Sequence, residues 1–380
     1  MACSVDYPLC TICGVRLYES SELEEPLFAQ GPSPWYPDIW KTSAIVISGP
    51  RWPSYRKGPV ADDSVSRYVA SPSWDPGAVS IKPGGPTIFT QFSYPPGSHD
   101  NFNPSTESHW YFGVHSACED IASVVMRTSR EARIRSIGDL WMTLDQRCTK
   151  TDSEHRFFIP FLPNIPENRP GEPINLSLRR YYIPRDAIPG DQADFDDLYQ
   201  WWEEDPLFIP DLTARLLSNL EKCKPADDAC LQSREKFKKL PQEIKDNILA
   251  ELLNQPLVLD CSYSIPQRYW KQAFEDIPFL WDLNDKILNE KIREAESAGT
   301  EWDWEKITRQ LMTPVTIVGG TSQFNPEPWN YDQVGLDVPH GLNNRRRIWQ
   351  ILEEMYPNDV GFEDQPRNSS TSSEDGHMDG

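Results

Sequence analysis

The chain has 380 residues, enough for roughly two or three domains, and its 58 acidic against 37 basic residues leave a net charge of −21. That balance argues against a general binder of nucleic acid or anionic membrane, because phosphate neutralisation needs clustered Lys and Arg. Thirty-five prolines divide the chain into short elements, and fourteen tryptophans need burial or a partner, so the expectation is a folded protein with many ordered loops.

The opening residues, MACSVDYPLCTICG, lack a basic start followed by an apolar run. No window approaches the ~18 apolar residues of a membrane span. A cytosolic or nuclear chain with reduced cysteines is therefore expected, and regular Cys spacing then favours metal over disulfide. Cys10-Thr11-Ile12-Cys13-Gly14 has knuckle spacing: two thiolates two residues apart reach one tetrahedral ion, and the Gly lets backbone amides turn around the sulfurs. The best second pair is His115-Ser116-Ala117-Cys118. Together Cys10, Cys13, His115 and Cys118 would hold a structural zinc in a Cys3His set, closing a loop of roughly a hundred residues. The competing reading makes the cysteines small buried hydrophobes and His115 a hydrogen-bonded core residue. Cys3 is a substitute ligand; Cys148, Cys223, Cys230 and Cys261 read as structural.

Up to residue 114 the chain is rich in Pro, Gly, Ser and aromatics, with strand-like pieces at residues 44–48, 78–81 and 87–90, each bounded by Gly or Pro. Residues 49–77 and 91–109 read as long loops, which need an anchor. Helical spacing begins at His115, with Ala117, Ile121, Val124 and Val125 on one face, and a second helix carries Ile137, Leu140, Trp141 and Leu144. Residues 149–175 read as a Pro-rich loop. Asp211 is the expected N-cap of a short helix bearing Leu212, Leu216 and Leu217, and residues 221–233 read as a linker.

The sharpest element is FKKLPQEIKDNILAELL, residues 237–253. Pro241 sits at a first helical turn, where its missing N–H costs nothing. Glu243 lies near the positive end of the dipole. Ile244, Ile248, Leu249, Leu252 and Leu253 form a broad apolar stripe, with Lys245, Asp246 and Asn247 on the other side. Leu240 is placed to fold back as a staple. Alone, this pattern is that of an ordinary core helix. A second run follows, with Trp270 and Phe274 four apart, and then DIPFLWDLN with Trp281 after a proline turn.

Leu-Pro-x-Glu-Ile, the Ile/Leu stripe, a second helix with a Trp and a short turn ending in Trp resemble an F-box over residues 237–284. The F-box is a three-helix module that docks the adaptor subunit of SCF-type cullin–RING ubiquitin ligases. The wider chain resembles the filamentous-fungal F-box domain-containing proteins, through the Cys-x-x-Cys-Gly opening, DPLFIPDLTARLLSNL at 205–220 and LPQEIKDNIL at 240–249. The sequence departs from the F-box pattern where Pro266 interrupts LVLDCSYSIPQRYW. The resemblance implies that Leu240, Pro241, Ile244, Ile248 and Leu252 face an SCF adaptor, and that Trp270 and Trp281 are structural. It also implies a protein substrate held elsewhere, and ligase chemistry in partner subunits rather than in this chain.

Further on, a charged helix is expected at 282–297, a helical run with a strand behind it at 302–318, and a last helix at 343–355. The run Arg345-Arg346-Arg347 reads as a solvated face or a local ion-pair site. Residues 362–380 are Ser- and acid-rich and are expected to be disordered. The fold class expected is α+β: a zinc-stapled recognition module at 1–220, a linker at 221–233, an F-box-like helical module at 234–284, C-terminal helices and a strand at 285–361, and the tail. No GxSxG, HExxH, P-loop or GxGxxG motif occurs. His99, His109 and His115, with nearby carboxylates, form the one region with acid–base character. Two non-catalytic readings follow: a ligase substrate receptor, or a zinc-stabilised interaction or scaffold protein whose F-box-like helices are buried and meet no adaptor.

Overall fold

The computed structural model describes residues 10–13, 15, 17, 39–50, 59–72, 78–81, 87–89, 109–149, 201–224, 227–254, 259–313 and 330–355. The loop at 150–175, the strand expected behind residue 313 and the acidic tail lie outside them. Within them the chain is α+β, as expected, with an antiparallel sheet followed by a largely helical second half.

A four-residue helix, α1 (Ile39–Thr42), leads into β1 (Ala44–Pro50). The sheet adds β2 (Ser66–Pro72), β3 (Ala78–Ile81), β4 (Thr87–Phe89) and β5 (His109–His115), in the order β4-β3-β2-β1-β5. Three of these strands match the expected ones. β2 lies inside a stretch read as loop, and its Arg67, Tyr68 and Val69 are all exposed, so no apolar alternation marked it. β5 carries no strand signal of its own in the sequence, because its aromatic run leads directly into a helix start. β1 is central, with Ile45 opposite both Val69 and Val114 and Ile47 opposite both Arg67 and Phe112. Val46 and Ile47 are both fully buried, so this strand is covered on its two faces.

From β5 the chain turns directly into α2 (Ser116–Thr128). Its buried face is Ala117, Cys118, Ile121, Ala122 and Val125, the helical stripe that the sequence carries. In α3 (Ile137–Thr149), Leu140, Trp141 and Leu144 are buried, and Trp141 packs on Phe112 with ring centroids 4.8 Å apart. Trp141 also lies flat on β1 at Gly49, where an added Cβ would stand 2.5 Å from the indole.

The second half contains α4 (Leu212–Ser218), α5 (Asp228–Lys238), α6 (Gln242–Asn254), α7 (Gln267–Glu275), α8 (Asp285–Ala298), α9 (Trp304–Met312) and α10 (His340–Glu353). The stretch read as a linker holds a bridge from Lys222 to Trp302 and the start of α5, capped by Asp227 accepting from the Cys230 N–H. Asp211 does precede α4, but its φ of 55° is left-handed and its side chain makes no cap bond. Asp205 does the polar work of that turn, accepting from the Leu207 and Phe208 N–H groups at 2.8 and 3.0 Å.

Phe237, Leu249 and Tyr269 form a small cluster joining α5, α6 and α7, with Leu240, Ile248, Leu252 and Ile265 against it. The opposite face of α7 buries Trp270 and Phe274 in the main core, which runs from Cys10 to Met355. α10 packs on α2 and on the 201–203 turn. Its three arginines are not solvated: Arg345, Arg346 and Arg347 are 0, 5 and 1% exposed. The ion-pair half of that reading holds, since Arg345 grips Asp282 through two 2.7 Å bonds.

Candidate metal centre and helix face

The turn at Cys10–Cys13 is tied to the sheet by Thr11, whose N–H and hydroxyl both donate to the Gly113 carbonyl of β5, at 2.9 and 3.1 Å. The Cys10 N–H donates to the Val15 carbonyl at 2.9 Å and closes the turn. Gly14, to which the sequence assigned the turn, lies outside the described residues. Two residues on from Gly113, His115 ends β5 and occupies the N-cap position of α2. Cys118 follows one helical turn later. The strand-to-helix junction thus presents His115 and Cys118 to the cysteines bound two residues earlier on the same strand.

One ligand atom from each of Cys10, Cys13, His115 and Cys118 lies within 4.8 Å of the other three, and all four residues are buried. His115 Nδ1 is 3.4 Å from the Cys13 sulfur and 4.0 Å from that of Cys118. A tetrahedral ion at about 2.3 Å from sulfur and about 2.0 Å from nitrogen spaces its ligand atoms by roughly 3.5–3.8 Å. The donor set fits such an ion. Two backbone donors complete it: the His115 N–H reaches Cys10 Sγ and the Val15 N–H reaches Cys13 Sγ, each at 3.4 Å. Amide-to-sulfur bonds of this kind stabilise thiolates. The Trp40 ring covers His115 at 4.6 Å, and its Nε1 donates to the Glu203 carbonyl at 2.9 Å.

Without an ion, the cluster polarises itself. Burial opposes charge on His115, but the Cys13 and Cys10 sulfurs outweigh it and hold the imidazole up to about 10. Burial likewise opposes the Cys10 thiolate; hydrogen bonds from Cys118 and Cys13 and the His115 charge overcome it and pull that thiol well below its ordinary range. Cys118 is pushed up, first by burial and then by its bonds to Cys10 and Cys13.

The other sequence-predicted residues lie on α6 and just before it. Pro241 and Ile244 are exposed, Ile244 at 45%. Leu240, Ile248 and Leu252 are half-buried against the Phe237–Leu249–Tyr269 cluster. Lys245, expected on the solvent side, is buried at 8%, whereas Asp246 and Asn247 are exposed. The stripe is therefore rotated: Leu249 points inward and Ile244 outward. Trp270 is fully buried, and Trp281, 40% exposed, lies on the Arg345 guanidinium at 4.2 Å.

Of the histidine region, His99 lies outside the described residues, and His115 belongs to the metal cluster. Two surface clefts, of about 460 and 220 Å3, are lined by other residues, and neither touches His115. Sequence reasoning missed Trp40 and Arg347, which brace the cluster from distant segments; only their residue types, large and costly to bury, signalled a role. Compared with protein-family models, curated proteins and solved structures, the chain matches none.

Proposed function

We propose that this chain is an F-box-type substrate receptor, a non-catalytic subunit that docks an SCF adaptor through the start of α6 and recruits a protein substrate through other surfaces. The observation that carries this reading is the exposure of Pro241 and Ile244 at the head of a helix whose Ile248, Leu249 and Leu252 turn inward. An apolar side chain held out on a rigid helix suits a partner. Ubiquitin transfer would then be positional, with the receptor raising the effective concentration of a substrate lysine. The Cys3His cluster is proposed as a structural zinc site. In it Cys10, Cys13, Cys118 and His115 hold the ion, and the ion supplies cross-linking rather than chemistry, since all four positions of a tetrahedron are filled by protein. A chain with this role works in the cytosol or nucleus, where the ligase resides.

A second reading has its own support. Leu240, Ile248 and Leu252 lean on the satellite cluster, which favours a zinc-stabilised interaction protein whose F-box-like helices serve its own architecture. Co-purification of the full chain with the cullin-ligase adaptor separates the two. Ile244→Glu should abolish capture and leave the melting temperature within about 2 °C, because the site is exposed. Absence of capture by the folded wild-type chain would remove the receptor reading and leave the second.

A further inference from the structure

A buried metal needs more than four ligating atoms. Three thiolates and a neutral imidazole around a divalent ion leave one net negative charge. The four residues are at most 1% exposed, so that charge has no solvent to meet it. Burying such a charge is unfavourable unless donors and an opposite charge face it.

Arg347 brings a donor and a positive charge to the backbone of the knuckle. It is 1% exposed, and its Nη1 donates to the Cys13 carbonyl at 2.7 Å, from α10, 334 positions away in the chain. Its Nε donates to Asn344 Oδ1 at 3.3 Å, one turn back on the same helix, which orients the guanidinium. The Asn344 side chain in turn donates to the Glu204 carbonyl at 2.7 Å. The adjacent Glu203 carbonyl is the one that holds Trp40 against His115. One turn, 201–204, thus braces the cluster from two sides: through Asn344 and Arg347 to Cys13, and through Trp40 to His115.

We propose that Arg347 is the positioning residue and counter-charge of the metal knuckle, fixing the Cys13 turn by its carbonyl and offsetting the net charge of the loaded site. The proposal rests on the metal reading above. It distinguishes Arg347 from a residue that merely glues α10 to the sheet, since a glue would stabilise the metal-free and loaded folds equally.

The test measures zinc affinity of the full-length chain by competition with a chelator of known strength, for the wild type, Arg347→Met, Arg347→Lys and Cys13→Ser. Arg347→Met is expected to bind zinc about 10- to 100-fold more weakly, the usual effect of losing an outer partner of a metal ligand. Arg347→Lys, which keeps the charge without the planar fork, should recover part of that loss. With cobalt(II), Arg347→Met should keep the thiolate charge-transfer bands, because the ligands are unchanged. If Arg347→Met binds zinc within about twofold of wild type, the proposal is overturned and the metal reading survives. If the wild type binds no more zinc than Cys13→Ser, both fall. Should Arg347→Met fail to fold, Arg347→Gln, neutral but still able to donate a hydrogen bond, decides: zinc binding weaker than wild type by more than about twofold supports the proposal, and affinity within about twofold overturns it.

Discussion

Arg345 shows how much one residue organises here. Its guanidinium is fully buried and meets the Pro206, Leu207 and Phe279 carbonyls as well as the Asp282 carboxylate. It joins the 206–207 turn to the loop that follows α7. Removing one partner of such a pair leaves the other stranded, at a cost of about 3–5 kcal/mol, and the cost is smaller where the stranded group can still reach water. Asp282 keeps some solvent access and Arg345 has none. Asp282→Ala should therefore destabilise the protein more than Arg345→Met does, by about 1 kcal/mol or more in urea unfolding. The reverse order would mean that the four-way hydrogen bonding, not the stranded charge, dominates.

At the scale of elements, the sheet and the helices on it are fitted by close approach. β1 accepts the Trp141 indole because position 49 has no side chain. In Gly49→Ala the new methyl meets a large, flat ring wedged against Phe112, which has no free end to swing away. Overpacking of this kind costs about 1–3 kcal/mol. Thermal unfolding should show it as a drop of several degrees. An unchanged melting temperature would mean that α3 slides on the sheet rather than locking to it. α6 gives the opposite lesson. Its periodicity called a helix over the right residues, but Leu249, not Ile244, faces the neighbouring aromatics, because the Phe237–Tyr269 pair sits on that side.

For the whole molecule, an ion held by Cys10, Cys13, His115 and Cys118 would close a loop between positions 102 apart. Cross-links over loops of this length stabilise by restricting the unfolded chain, by about 4–5 kcal/mol on the entropic account. The pH dependence distinguishes the loaded from the metal-free fold. In the metal-free fold His115 is raised from 6.5 to about 10, and Cys10 is lowered from 9.0. Stability from the raised group is present below 6.5 and lost through about 10; stability from the lowered group is present above 9.0 and lost as pH falls through its depressed value. Below 9.0 and above both 6.5 and the depressed Cys10 value, the proton has only moved from Cys10 to His115, so their joint contribution is level. With zinc bound, three thiolates would replace three thiols of the unfolded chain, and stability would rise by about 4 kcal/mol per pH unit above about 6.5, flattening as those thiols ionise near about 8.5. Urea midpoints at constant free zinc should climb from about pH 6.5 to 8.5, and those with chelator should stay level. A level profile in zinc would rule out thiolate coordination.

Much of this was legible locally. CxxC and HxxC spacings, a helix start just after Pro241 and the helical stripes of α2 and α3 depend on neighbours a few residues away, and the sequence by itself determined them. It also determined that His115 would stand at a helix start. Partners far along the chain were decided only by the tertiary structure. Strand β2, with its exposed Arg67, Tyr68 and Val69, exists because β1 offers it a hydrogen-bonding edge. The arginines of α10 look like a solvated run in sequence, yet the fold buries them, because carbonyls from residues 13, 206, 207 and 279 converge on that helix. Side-chain periodicity reports which face of an element is apolar; which polar atoms meet that element across the core is set by packing alone.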